Sequence, residues 1–189
     1  MGVWFVFLVF VGGLGVGSVA QAGAVLTTFR ELAGTAATLI TLTRAMEDRL
    51  SHVLHGEDFV TAALVEIDDG GGVQLVSCGH PPPVVFHDGG HELVELDDYA
   101  APFGLGPQPA AQRVSLRKGE RLLLYTDGLT ETRTASGEFI SLDDILTGAP
   151  GDDLGATLDS VLDRIDTLSG EIRDDLALLL VEFHGRPAI

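Results

Sequence analysis

Acidic residues stand at the ends of two apolar runs, where residue type and spacing place chemistry. In Arg121-Leu122-Leu123-Leu124-Tyr125-Thr126-Asp127-Gly128-Leu129-Thr130-Glu131, the apolar residues Leu122 to Tyr125 lead straight into a small, polar segment. That run is too short for a helix of its own and suits a strand covered on both faces. Asp127 therefore sits where a core strand emerges and is positioned by rigid backbone, while Gly128 is expected to supply a backbone angle that other residues disfavour. Taken alone, Asp127-Gly128 also reads as an ordinary turn. An acidic pair, in Arg173-Asp174-Asp175, precedes Leu176 to Phe183, the last expected strand. One carboxylate leaves a strand and the other enters one, so if the two strands are antiparallel neighbours, Asp127 and Asp174 share one sheet end. Oxygen ligands from separate strands suit Mg²⁺ or Mn²⁺, which favour carboxylate and keep several waters.

The elements that must position these residues follow from periodicity. Val3 to Val11 is wholly apolar, with no charge before Arg30. It reads as a buried strand or, with the apolar residues to Ala20, as a membrane segment interrupted by Gly12, Gly13, Gly15 and Gly17. Ala22, Val25, Leu26, Phe29, Leu32 and Ala33 then recur at helical spacing, with Ser18 as the expected cap. Thr35 is the expected cap of a second helix carrying Leu39, Ile40, Thr43, Met46, Leu50 and Val53. Arg44, Glu47 and Asp48 read as its solvated face. From Phe59 to Ile67 the period becomes two, and Asp68-Asp69-Gly70-Gly71-Gly72 turns the chain into a return strand, Val73 to Cys78. Gly79-His80-Pro81-Pro82-Pro83 stops that strand because proline cannot donate to a ladder, and His80 there reads as structural. Val84 to Phe86 and His91 to Leu96 continue an expected antiparallel meander. Residues 97–112 form a loop, Arg113 to Leu116 and Arg121 to Tyr125 are expected to pair, and helices are expected over Leu142 to Leu146 and Asp153 to Leu168.

Composition excludes several classes. A length of 189 residues fits one domain, 1–189, with a substantial core. The 28 acidic and 11 basic residues give a formal charge of −17, a field that repels phosphate backbones and argues against nucleic-acid binding. The single cysteine, Cys78, rules out an internal disulfide and fits a reducing, cytoplasmic setting. No zinc-type Cys/His spacing is present, and no Ser-His-Asp triad or catalytic cysteine is evident.

The ordered motifs Gly79-His80-Pro81-Pro82-Pro83, Pro102-Phe103-Gly104-Leu105-Gly106, Leu122 to Glu131 and Asp174-Asp175-Leu176-Ala177-Leu178-Leu179 resemble those of the bacterial metal-dependent (type 2C) protein serine/threonine phosphatases. The branch they resemble is the one typified by sporulation protein E, over about Gly12 to Phe183. The resemblance implies an α+β fold, an antiparallel β-sandwich flanked by helices on both sides. It implies two Mn²⁺ or Mg²⁺ ions, with Asp127 and Asp174 as metal ligands and Asp175 as a neighbour. The implied activity is hydrolysis of phosphoserine or phosphothreonine on a regulatory protein, in this branch an anti-sigma-factor antagonist. Membrane association is implied only if the apolar start is a membrane segment. The family pattern also carries an early glycine-aspartate-aromatic motif, for which this chain begins too late. It carries a further aspartate ahead of a glycine run, and here Phe10-Val11-Gly12-Gly13-Leu14-Gly15 puts Phe10 in that position. A catalytically silent phosphatase-like binding or regulatory module is the alternative this departure implies.

Overall fold

The computed structural model describes residues 3–11, 16–56, 58–169 and 175–185. In chain order its elements are β1 (Val3–Val11), α1 (Val16–Ala33), α2 (Leu39–Leu50), β2 (Val60–Asp68), β3 (Gly72–Cys78), β4 (Val84–His87), β5 (Gly90–Leu93), β6 (Gln112–Ser115), β7 (Arg121–Tyr125), a 3-10 helix (Asp127–Leu129), α3 (Leu142–Leu146), α4 (Leu154–Leu168) and β8 (Leu178–Glu182). They fall into two compact units, Met1–His80 with Glu95–Ser115, and Pro81–Val94 with Leu116–Ile189. Each holds one antiparallel four-stranded sheet and two helices.

In the first unit the strand order is β1-β2-β3-β6. β1 pairs with β2 along its whole length, from Val3 opposite Asp68 to Val11 opposite Val60, so the apolar start is a strand and not a helical membrane segment. No helix among the described residues is long and apolar enough to cross a membrane. Val60, Ala62 and Leu64 of β2, with Val76 and Cys78 of β3, pack against Val25 of α1 and Leu39, Leu42, Met46 and Leu50 of α2. Phe7 stacks on Phe29 at 4.4 Å, adding α1 to that face.

The helix caps differ from expectation for a visible reason. Thr35 closes α1 instead of opening α2: its backbone N–H and its hydroxyl both donate to the Leu32 carbonyl. Thr38 caps α2 through a reciprocal capping box with Thr41. Ser18 lies inside α1. Glu47 is not part of a merely solvated face, because its carboxylate accepts the N–H groups of Gly104 (2.9 Å) and Gly106 (3.1 Å) and so ties α2 to the Pro102–Gly106 loop.

In the second unit the order is β5-β4-β7-β8. The expected pairing of Arg113–Leu116 with Arg121–Tyr125 is wrong: β6 pairs with β3, and β7 lies between β4 and β8. The connecting turn is closed by the Arg117 N–H donating to Glu120 Oε2 and the Glu120 N–H to the Arg117 carbonyl, so it carries the chain from one sheet to the other instead of forming a hairpin. The prolines 81–83 make the same change between β3 and β4, which limits the expected meander to separate hairpins. β5 ends at Leu93, short of the expected Leu96; after it the Val94 N–H donates to the Pro83 carbonyl. Val84, Phe86, Leu123, Tyr125 and Leu180 pack against Ile145 and Leu146 of α3 and Val161 and Ile165 of α4. The buried stripe of α4 is Thr157, Val161 and Ile165, with Leu162 turned outward.

Cys78 is fully buried in the first unit's core. Burial, reinforced by the negative charge of Glu47, pushes its pKa up to about 12 from 9.0. The folded chain therefore keeps the thiol proton that the unfolded chain releases as pH rises past 9.0, so this group costs stability only on the alkaline side. At pH 8 a thiol-specific reagent should label native Cys78 about a thousandfold more slowly than the unfolded chain; equal rates would contradict this burial.

Candidate functional site

The site is built on β7. Leu122, Leu123, Leu124 and Tyr125 are all buried, as a strand covered on both faces requires. Its register against β8 runs from Arg121 opposite Glu182 to Tyr125 opposite Leu178, and each end of this pairing is pinned. At the entry, Arg121 Nε donates to Glu182 Oε2 at 2.7 Å, and both side chains are largely buried. The same guanidinium donates to the Gly151 carbonyl (2.9 Å) and to Thr157 Oγ1 (2.6 Å), which ties the strand entry to the first turn of α4. Asp153 caps that helix by accepting the Ala156 N–H at 2.8 Å.

At the exit the pin is Thr126, buried at 2% exposure. Its hydroxyl donates to the Asp175 carbonyl (2.9 Å) and accepts the Ala177 N–H (2.9 Å), while its own N–H donates to the Ala177 carbonyl (3.1 Å). Asp127 follows immediately as the first residue of the 3-10 helix. Its carbonyl accepts the Glu131 N–H and the Thr130 hydroxyl, which fixes the backbone on both sides of the carboxylate.

Gly128 plays a different part from the one expected. It does not have a positive φ. A Cβ there would instead lie 2.7 Å from the Asp175 carbonyl oxygen and 3.1 Å from its carbon. Glycine is required because the backbone at 175 passes directly over it. Asp127 is partly buried at the exit of β7, and β8 is its antiparallel neighbour, as expected. Asp175 brings its backbone to the Asp127 turn, and Asp174, one residue before it, lies outside the described residues. Among the described residues no group of three or more His, Cys, Asp or Glu side chains is placed to hold a metal ion.

Within the first unit, Phe10 lies on β1 opposite Thr61. Thr61 Oγ1 is 3.2 Å from Nδ1 of His80, and the His80 backbone is closed onto Ser77, whose hydroxyl donates to the His80 carbonyl and accepts its N–H. His80 is buried in its proline turn. Thr126 and Glu47 were not singled out by sequence. The available signal for Thr126 was its position between a buried strand and an acidic residue, which requires a polar atom able to satisfy backbone groups there.

The two antiparallel sheets with their helices match solved structures of PP2C phosphatases. The chain superposes with a TM-score of 0.78 and 24% identity on the RsbU and RsbW domains of Rv1364c from Mycobacterium tuberculosis, over 100% of this chain and 57% of that one. It superposes at 0.79 and 16% identity on the PP2C phosphatase domain and a regulatory-domain fragment of the cell fate determinant SpoIIE from Bacillus subtilis, over 95% of this chain and 53% of that one. The chain thus spans little more than half the length of either. The catalytic domain of the serine/threonine phosphatase PstP, solved with two manganese ions, matches at 0.68 and 13% identity over 95% of this chain and 97% of that one. No curated protein matches the sequence. The fold is therefore that of a PP2C-like serine/threonine phosphatase domain. The family model for stage II sporulation protein E matches residues 2–184, and the chain belongs to that family.

Gly128→Ala should lower stability by about 1–3 kcal/mol, because the contact it violates is backbone and cannot rotate away. Urea denaturation reads this as a lower midpoint at unchanged slope; an unshifted midpoint would show that the close approach is not needed.

Proposed function

We propose that this chain hydrolyses phosphoserine or phosphothreonine on a regulatory protein, with Asp127 and Asp174 as ligands for Mn²⁺ or Mg²⁺. The supporting observation is the Thr126 clamp, which holds the Asp127 turn against the backbone at residue 175. Carboxylates delivered by two adjacent, antiparallel strands are the hard oxygen donors that such cations take. A divalent cation bound there supplies Lewis-acid polarisation of the phosphoryl oxygens and a more acidic water. The chain's own share is to fix the backbone that carries the Asp127 carboxylate by contacts at Thr126, Gly128 and Thr130, so that little ordering of that turn remains when a cation binds. With a formal charge of −17, the protein repels a phosphorylated substrate at long range, and a bound cation offsets that locally.

Residues 1–189 are proposed to act as one phosphatase-like domain in the cytoplasm. Membership of the sporulation protein E family and likeness to an RsbU domain support a regulatory phosphoprotein as substrate, with anti-sigma-factor antagonists the particular class. With Mn²⁺ present, the chain should release phosphate from a phosphoserine peptide and from p-nitrophenyl phosphate, and Asp127→Asn should reduce both to the blank. Absence of turnover by the unaltered chain at millimolar Mn²⁺ would overturn the catalytic reading.

One observation favours a second reading. Phe10, opposite Thr61 on β1, occupies the position where the family pattern has an aspartate, and an aromatic ring offers no oxygen to a cation. On this reading the domain is catalytically silent and binds or regulates a partner. Calorimetric titration with Mn²⁺ separates the two: tight binding at two sites per chain would exclude the silent module, while weak or absent binding would support it.

A further inference from the structure

Residues 132–140 form a short hairpin that grows directly out of the Asp127 turn. Its root is fixed: the Thr132 hydroxyl, buried, donates to the Gly128 carbonyl at 2.9 Å, and the Ile140 N–H donates to the Thr132 carbonyl, with Ile140 in the second unit's core. Its arms meet at the antiparallel bridge between Arg133 and Phe139, and Thr134 closes the tip by accepting the Gly137 N–H and donating its own to Glu138. On this frame the Arg133 guanidinium lies 3.5 Å from the centroid of the Phe139 ring. Its Nη1 donates to the Gly137 carbonyl at 2.9 Å. Phe139 is 60% exposed.

In a chain with 28 acidic residues, two neighbouring arginines of the same unit meet carboxylates, Arg121 at Glu182 and Arg117 at Glu120, whereas Arg164, like Arg133, donates to a backbone carbonyl. No carboxylate among the described residues lies within ion-pair distance of Arg133, although Glu131 and Glu138 are close in sequence. Only one of its N–H groups has a partner there. A guanidinium held over an aromatic ring and by a backbone carbonyl has lost part of its rotamer freedom, so a carboxylate meeting its remaining N–H groups gains a charge-assisted contact at low entropic cost. Aromatic residues and arginine are also enriched at protein–protein interfaces.

We propose that Arg133 and Phe139 form a docking element for acidic side chains that flank the phosphorylated residue of the protein substrate. The proposal rests on the phosphoprotein reading above and adds to it a sequence preference and the residues that set it. Direction favours the flank over the phosphate itself: Arg133 is pinned to Gly137 at the hairpin tip, whereas the Asp127 turn lies at the root.

The test is fluorescence anisotropy on the full chain in Mn²⁺ buffer with four labelled peptides: acidic or Asn/Gln flanks, each with phosphoserine or serine at the centre. Arg133→Ala should weaken both acid-flanked peptides about tenfold and the neutral-flanked ones less than about twofold. Phe139→Ala should reproduce a smaller loss of the same pattern, and added salt should erase the difference between flanks. Circular dichroism and urea midpoints should match the unaltered chain. Equal affinities for Arg133→Ala and the unaltered chain would overturn the proposal. So would a loss confined to phosphorylated peptides regardless of flank, which would place Arg133 at the phosphate. Because the readout is binding, the two readings fail separately. Flank-dependent binding without p-nitrophenyl phosphate turnover overturns catalysis alone, and turnover with flank-independent binding overturns docking alone.

Discussion

The hydroxyl of Thr126 is the constraint on which the candidate site depends. By donating to the Asp175 carbonyl and accepting the Ala177 N–H, one buried side chain satisfies two backbone groups just beyond the end of the β7–β8 ladder. Left unpaired, each would carry a desolvation penalty of about 1–3 kcal/mol. The exit of β7 and the entry of β8 are thereby held together one residue beyond the last strand pair, and the chain at Asp127 has one direction in which to leave. Gly128 completes the arrangement by letting the backbone at 175 approach to a distance that a methyl group would forbid. At the other end of the same strand pair, Arg121 joins Glu182, Gly151 and Thr157. A strand fixed at both ends cannot slip in register, and a slip of one residue would turn Leu123 and Tyr125 away from the helices they pack on.

Much of this framework was legible in the sequence. Runs of β-branched and apolar residues marked β2, β3, β7 and β8 to within two residues at either end, and the acidic residues flanking β7 and β8 marked the candidate site. The misreadings share a cause, which is that local pattern does not carry tertiary partners. Arg117-Lys118-Gly119-Glu120 is a turn sequence, and nothing local states that the strands on its two sides belong to different sheets. Thr35 and Thr38 are equally good caps by type; the choice was made by Leu32, whose carbonyl engages Thr35. Gly128 was read for its backbone freedom, whereas its function is the space it leaves for a segment nearly fifty positions away.

The same distinction governs the acidic composition. A formal charge of −17 suggests carboxylates available for cations, yet several are used by the chain's own backbone. Glu47 holds the Gly104 and Gly106 N–H groups, Asp68 those of Gly70 and Gly72, Asp153 that of Ala156 and Glu120 that of Arg117. Apart from that of Gly72, the first residue of β3, these N–H groups belong to turns, loops and a helix start, where no ladder partner exists. Acidity in this molecule is therefore partly a capping device. What singles out Asp127 is the rigidity of its backbone and the strand on which it stands.

That rigidity also separates fold from activity. Thr126, Gly128, Thr130 and Thr132 fix the turn through hydroxyls, N–H groups and carbonyls, with no bond that depends on a cation or on the residue at position 10. A chain can keep every one of these contacts, and with them the PP2C-type fold, whatever oxygen donors it offers a cation. Phe10 is, on β1, one more aromatic residue in an apolar strand, and its backbone pairing with Thr61 is indifferent to the side chain it carries. The forces that preserve the Tyr125-Thr126-Asp127-Gly128 turn are those of a close-packed strand exit. The forces that decide catalysis act on oxygen donors at a cation, so the two respond to different substitutions and must be measured apart.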